Sequence, residues 1–223
     1  MAPGKRSNPL ALAVLVCLAE RPMHPYEVAQ TLRTQHKDDS VRLNYGSLYA
    51  VVEALARRGL IEAAETERSG RLPERTVYRV TGAGLHEMHD WLAELLTVPA
   101  KEYPAFEAAL SFLPALPPDE AVSLLHERIE RLEAELAGAG ALRELVEKSR
   151  LPRLFWVEAE YAVALRRAEL DFARDLVADI EAGTLDGTAW WREIHDHPER
   201  PVASLSWGAD GGPENRHDEE QSR

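Results

Sequence analysis

Residues 44–61 constrain this chain more than any other stretch. Leu48, Val51, Val52 and Leu55 recur at i, i+3, i+4 and i+7, which predicts one amphipathic helix with a single apolar stripe. Arg57 and Arg58 suit the negative end of its dipole, and Gly59 suits the left-handed position that closes a helix. The face opposite the stripe carries Gly46, Ala50, Glu53 and Arg57, with Ser47 and Tyr49 beside them. A face of small residues lets a second surface come close, a DNA groove among them. An ordinary solvated helix would carry long charged side chains there. Taken alone, the helix fits either a structural surface or a groove-reading one, so its neighbours decide.

The stretch before it reads as two more helices. Residues 9–20 repeat Leu10, Val14, Cys17 and Leu18 on one face, with Pro9 at a tolerated first position. Arg21 to His24 make a break, and Pro25 opens a second helix to about Gln35, with Tyr26, Ala29 and Leu32 on one side. Asp38, Asp39 and Ser40 mark a turn. Three short helices with tight turns, the third with a small-residue face, match a helix-turn-helix. After it, residues 61–66 and 75–80 read as two strands. In the second, Thr76, Tyr78 and Val80 share a side. A hairpin in this place is a wing, with Arg68 and Arg71 at its tip and Arg75 at its base. Thr81 then caps a helix over residues 82–96, striped by Leu85, Met88, Leu92 and Leu95.

Charge is compatible with that assignment only when read by region. The chain carries a net −12, which opposes binding to a polyanion. Yet residues 1–100 hold 12 Lys/Arg against 12 Asp/Glu, and residues 101–223 hold 14 against 26. All the excess acidity lies in the second half, and residues 42–79 are locally basic, with seven Arg against five Glu. No run approaches the ~18 apolar residues of a membrane span. Residues 10–19 follow Lys5 and Arg6, but they end at Glu20-Arg21-Pro22 without a small-residue cleavage pattern, so no secretory leader is expected. A single cysteine, Cys17, excludes an internal disulfide and fits a reducing, cytoplasmic setting, as a buried filler or a redox sensor.

Three groups of residues now resemble the PadR family of transcriptional regulators: Tyr26-Glu27-Val28; Gly46-Ser47-Leu48-Tyr49 with Leu55 and Gly59-Leu60-Ile61; and Tyr78-Arg79-Val80-Thr81 with Gly84. They cover about residues 9–96. The usual family form has proline where this chain has Ala50, and tends to leucine where it has Val28 and Val80. The resemblance implies a winged-helix repressor acting as a homodimer on a palindromic promoter site. Gly46 and Ser47 would lie nearest the base edges, flanked by Asn44, Tyr45 and Tyr49. Tyr26, Arg57, Arg68, Arg71 and Arg75 would contact phosphate or probe a groove.

The second half has no strand pattern. Five prolines (Pro99, Pro104, Pro114, Pro117 and Pro118) predict an ordered connector over 97–118, with a short helix at residues 105–113. Asp119 is placed to cap a helix in which Val122, Leu125, Ile129, Leu132 and Leu136 step by three and four, a heptad seam. Gly138 and Gly140 are expected to interrupt it, with a further turn at residues 142–148. Residues 153–182 predict the longest helix, closed by Gly183. Val122, Leu125, Ile129, Leu132, Leu165, Phe172 and Leu176 are the candidate dimerisation residues; an intramolecular helical hairpin is the alternative use of both seams. This half looks like the longer helical region of the PadR subgroup related to virulence-type regulators. Residues 188–195 make one more short helix, and 198–223 are expected to be disordered.

The expected fold is therefore mainly α with a small β-hairpin wing. Residues 1–8 form an arm, 9–96 a winged helix, 97–118 the connector, 119–197 a helical dimerisation and effector domain, and 198–223 a tail. No phosphate loop, dinucleotide fingerprint or nucleophile elbow is present, so no enzyme and no cofactor are expected. His86/His89 and His195/His197 lack matching acidic or cysteine ligands at metal spacing. Trp91, Tyr103, Phe106, Phe155, Trp156 and Tyr161 are either core or a pocket where the halves meet. The resemblance favours a pocket for a small aromatic or hydrophobic effector. The expected partners are double-stranded DNA, a second copy of the chain and such an effector; a protein-binding winged helix is the competing function.

Overall fold

A computed structural model describes residues 8–67 and 75–197, and these divide between two compact units, residues 1–102 and 103–223. The first unit is built on α1 (Pro9–Glu20). Asn8 caps it, its Oδ1 accepting from the Leu10 amide at 3.1 Å. Leu10, Val14, Leu15, Cys17 and Leu18 are all buried, and a helix apolar on most sides belongs at the centre of a core. It packs against α2 (Pro25–Thr34), α3 (Tyr45–Arg57), β2 (Arg75–Val80) and α4 (Gly82–Thr97).

Each of these elements carries its own start signal. His24 and Glu27 form a reciprocal capping box on α2: His24 Nδ1 accepts from the Tyr26 amide at 3.1 Å, and Glu27 accepts from the His24 amide at 2.8 Å. Asn44 caps α3, its Oδ1 accepting from the Ser47 amide at 2.7 Å. Leu48, Val51, Val52 and Leu55 are buried as the stripe predicts, each contributing about 1.5–3 kcal/mol of burial. At its end Gly59 adopts φ +69°, the Gly59 amide bonds Ala56 O at 2.9 Å, and the Leu60 amide bonds Leu55 O at 3.0 Å. That pair of bonds is a Schellman closure, which needs a residue without Cβ strain at its left-handed position.

The chain then enters the hairpin directly. Strand β1 (Ile61–Glu67) pairs antiparallel with β2, with Ile61 opposite Val80 and Ala63 opposite Tyr78, and an irregularity between Ala63 and Glu65. Met23 adds a single bridge from outside the hairpin, exchanging both backbone bonds with Tyr78 at 3.0 Å. The base of the hairpin is thereby tied to the α1–α2 turn. Thr81 ties it to α3 and α4: its hydroxyl donates to Gly59 O at 2.8 Å and accepts from the Gly84 amide at 3.1 Å. Gly84 is there for closeness, since a Cβ on it would stand 2.0 Å from Leu60 O.

The second unit is helical throughout its described residues: α5 (Ala105–Ser111), α6 (Pro118–Ser149), α7 (Val157–Ala182) and α8 (Thr188–Asp196). The short connection at residues 150–156 makes α6 and α7 antiparallel neighbours. Ala121, Leu125, Ile129 and Leu132 of α6 share a core with Leu170, Ala173, Val177 and Ile180 of α7 and Trp191 of α8. Trp191 Nε1 donates to Leu116 O at 2.7 Å, which fixes α8 on the segment before α6. Phe106, Leu113 and Leu116, expected in a connector, pack on this core.

Three expectations are corrected here. Gly138 and Gly140 do not interrupt α6, which runs unbroken from Pro118 to Ser149. A mid-helix glycine costs only about 1 kcal/mol, and the following turns are supported by Arg143–Glu147 at 2.9 Å and Lys148–Glu144 at 3.9 Å. Pro117, not Asp119, stands at the N-cap of α6. The helix expected over 153–182 is not the longest: α6 has 32 residues and α7 has 26, starting at Val157 because Arg153–Phe155 form a separate 3-10 turn and Trp156 leaves helical geometry. The candidate dimerisation residues also divide. Leu125, Ile129 and Leu132 are buried in their own hairpin, and Val122 and Leu176 are partly buried against it. Only Leu165 and Phe172 stay about half exposed. The seam of α6 is satisfied within the chain because α7 supplies the complementary apolar row. The expected tail, 198–223, and residues 1–7 of the expected arm lie outside the described residues.

Candidate nucleic-acid interface

The leading half of α3 is the one part of that helix turned outward over several consecutive residues. Asn44, Tyr45, Gly46, Ser47, Tyr49 and Ala50 are exposed, while Leu48 between them is fully buried. Leu48 anchors the turn, and the two-sided spacing leaves the small Gly46 and Ser47 between the rings of Tyr45 and Tyr49. A Cβ on Gly46 would meet only Asn44 Oδ1 at 3.6 Å, so the fold has room for a side chain there. Asn44 is engaged as the cap, its Oδ1 accepting from the Ser47 amide.

Tyr26 of α2 belongs to the same surface. Its ring is 54% exposed and stacks on Tyr45, with centroids 6.3 Å apart and planes 10° apart. Arg57 stands at the far end of α3, its exposed guanidinium 3.7 Å from Glu53 one turn back. Arg75 opens β2 opposite Glu67. Arg68 and Arg71, expected at the tip of the wing, lie outside the described residues. Nearby cations are committed elsewhere: Arg58 pairs with Glu87 at 2.9 Å and Arg79 with Glu62 at 2.7 Å.

Arg33 was not singled out from the sequence. Its guanidinium lies 4.8 Å from the Tyr45 ring centroid and donates to the Tyr45 hydroxyl at 2.7 Å. The signal was present, since Arg33 follows Tyr26 by seven residues and so lies on the same face of α2. It was hidden because an isolated arginine on a helix end looks like any solvated one.

The six residues expected to converge on an effector do not form one pocket. Trp91 is 3% exposed and fills the core of the first unit with Met88, so it is a core residue. Tyr103, Phe155 and Tyr161 are largely exposed. Trp156 is partly buried, with Arg143 5.8 Å from its ring. Phe106 lines an open groove of about 360 Å³ within the second unit. Its apolar walls include Leu110, Leu113, Leu124 and Leu132, and Arg128 and Arg166 reach its rim. Arg128 lies 3.9 Å over the Phe106 ring and is bonded to Glu169, while Phe106 meets Phe172 edge-on. The six stand on five different segments: Trp91 on α4, Tyr103 before α5, Phe106 on α5, Phe155 and Trp156 in the turn before α7, and Tyr161 on α7.

Cys17 is buried in α1, and loss of solvation with Glu20 nearby pushes its thiol up to about 11. It is protonated at neutral pH and unsuited to redox sensing there. Among the described residues no three His, Cys, Asp or Glu side chains group to hold a metal, and no helix is long and apolar enough to cross a membrane.

Residues 14–90 match the family model of the transcriptional regulator PadR-like family. Bacillus subtilis PadR in complex with operator DNA has a similar fold, with a TM-score of 0.61 at 19% identity over 77% of this chain and 98% of that one. The same protein in complex with p-coumaric acid gives 0.62 at 18% identity over 77% and 98%. The Vibrio cholerae virulence activator AphA gives 0.58 at 16% identity over 78% and 98%. No curated protein matches the chain.

Proposed function

We propose that this chain, whose residues 14–90 match the PadR-like transcriptional regulator model, represses transcription by binding a palindromic promoter site as a homodimer. The observation that carries this is the outward face of α3. Gly46 and Ser47 stand exposed between Tyr45 and Tyr49 on a turn whose inner side is pinned by fully buried Leu48. A helix held this rigidly, with small residues foremost, can lie against base edges. The wing arginines and Tyr26 then meet the backbone on either side. The balanced charge of residues 1–100 gives few cationic contacts per copy, so affinity depends on two half-sites about one helical turn, ~34–36 Å, apart.

Footprinting of the purified protein on the region upstream of its own gene tests this. A protected inverted repeat is expected, with binding that weakens as salt rises. Ser47→Ala should alter the choice of base at one position per half-site, and Arg71→Ala should weaken binding to all sequences alike. Absence of protection, or binding with no salt dependence, favours the competing function, a winged helix that docks on a protein.

Release by a small aromatic or hydrophobic effector completes the proposed mechanism, through a change in half-site spacing. Of the residues first considered, Phe106 in its groove supports it best. Tryptophan fluorescence during titration with phenolic acids, followed by loss of the footprint, is the expected result. A protein whose footprint survives every compound tested has no such control.

A further inference from the structure

Tyr26 and Arg33 sit on one face of α2, two turns and about 10.5 Å apart along its axis. Tyr45, the first residue of α3, touches both: its ring stacks on Tyr26 and its hydroxyl accepts from Arg33 Nη1 at 2.7 Å. Arg33 also lies 4.8 Å from the centroid of that ring. Exposed arginines usually lose conformational entropy when held, and the gain from one surface contact rarely exceeds that cost. Here a hydrogen bond and a cation–π contact hold the same guanidinium on one ring, so the arrangement is preformed at the surface.

Its hydrogen-bonding capacity is one-sided. A phenol has one donor and two acceptor lone pairs, and a guanidinium has donors only. With Arg33 donating to the Tyr45 oxygen, the phenolic proton is left to donate outward, and the remaining Arg33 N–H groups donate beside it. Two adjacent groups that offer donors suit a ligand that only accepts. A phosphate accepts throughout, and of the major-groove base edges only guanine's offers two acceptors and no donor, which a duplex of A·T pairs lacks. Resting on the DNA-binding function proposed above, we infer that Arg33 and Tyr45 form one phosphate clasp at the leading end of α3. Arg33 meets the phosphate and also holds Tyr45 upright, so α2 sets the register of α3 on the duplex.

Binding of the full-length protein is measured against salt on two probes, its own upstream fragment and poly(dA-dT) duplex. Arg33→Gln should weaken binding about tenfold on both and lower the salt slope by about one. Tyr45→Phe keeps the ring but removes the hydroxyl. It should weaken binding severalfold at unchanged slope, and the double variant should lose little beyond Arg33→Gln alone. Both side chains are exposed, and unchanged thermal melting of the variants confirms folding. An Arg33→Gln variant with the wild-type salt slope, or additive losses in the double variant, overturns the clasp while leaving DNA binding in place. An effect on the upstream fragment but not on poly(dA-dT) overturns it in favour of a base contact. Wild-type protein that binds neither probe overturns the DNA-binding function and the clasp with it.

Discussion

The two units dispose of their apolar side chains in opposite ways. In the first, three helices and a hairpin close around α1, and Leu15, Met23, Leu48, Leu55 and Ile61 lose all but 0–2% of their exposure. In the second, one face of the α6–α7 hairpin is buried and the rest of its large apolar residues are not. Leu145, Leu154, Phe155 and Tyr161 are 60–78% exposed. The difference follows from geometry. A cluster of elements crossing at several angles encloses a volume, while two antiparallel helices enclose only the line between them. The first unit therefore closes a core around α1, and its most exposed aliphatic residues gather at the end of α4, where Leu95 and Leu96 are 53% and 86% exposed. The second presents apolar surface of the kind that association covers, in keeping with the proposed homodimer.

The sharpest way to break that contrast is one substitution made in both places. Gly84→Ala forces a Cβ to 2.0 Å from Leu60 O and 2.8 Å from Val80 Cγ2, where a backbone atom cannot yield. A loss of about 3 kcal/mol or more is expected in urea unfolding of the first unit. Gly138→Ala meets nothing within 4 Å and should instead stabilise α6 by about 1 kcal/mol. Equal effects at the two sites would mean that the units are not packed as differently as they look.

Between these two effects in size lies the alkaline limit of the first core. The folded Cys17 thiol is raised to about 11 from an ordinary 9.0, so the folded state holds its proton more tightly than the unfolded one. Its contribution is fully present below about pH 9 and is lost as pH rises through about 11. Denaturant midpoints should fall over that window, and Cys17→Ala, though less stable overall, should show a flatter profile. Equal slopes would place the thiol in water.

The smallest expected effect on stability sharpens the contrast from the other side. Replacing Leu154 and Phe155, 78% and 60% exposed, by serine should change unfolding by no more than about 0.5 kcal/mol per site. The same double variant should shift sedimentation toward monomer at low micromolar concentration. Marked destabilisation of the monomer would show that these side chains belong to a core after all.

Much of the first unit was legible because its signals are local. Pro9 and Pro25 mark helix starts, the Leu48 stripe has a helical period, Gly59 marks the stop, and Arg75 to Val80 alternate as a strand does. The bridge from Met23 to Tyr78 was not legible, since nothing in either segment announces a partner more than fifty residues away. In the second unit the two glycines of α6 misled for the reverse reason. Glycine is a stop signal only where a left-handed residue closes the helix, as Gly183 does at φ +70°. Gly138 and Gly140 sit in mid-helix between strong helix formers, and the helix absorbs them.

What the sequence determined by itself was a winged helix-turn-helix followed by long amphipathic helices, because periodicity, caps and turn residues act within a few positions of one another. Which apolar rows meet was decided only in three dimensions. The heptad seam of α6 suits a second subunit as well as it suits α7, and only packing showed that Leu125, Ile129 and Leu132 are already covered. Trp91 likewise reads as a pocket residue until the core of the first unit closes over it. The outward face of α3 could be drawn from spacing alone. That Tyr26 and Arg33 of another helix reach Tyr45 depended on how α2 and α3 cross, which no local pattern encodes.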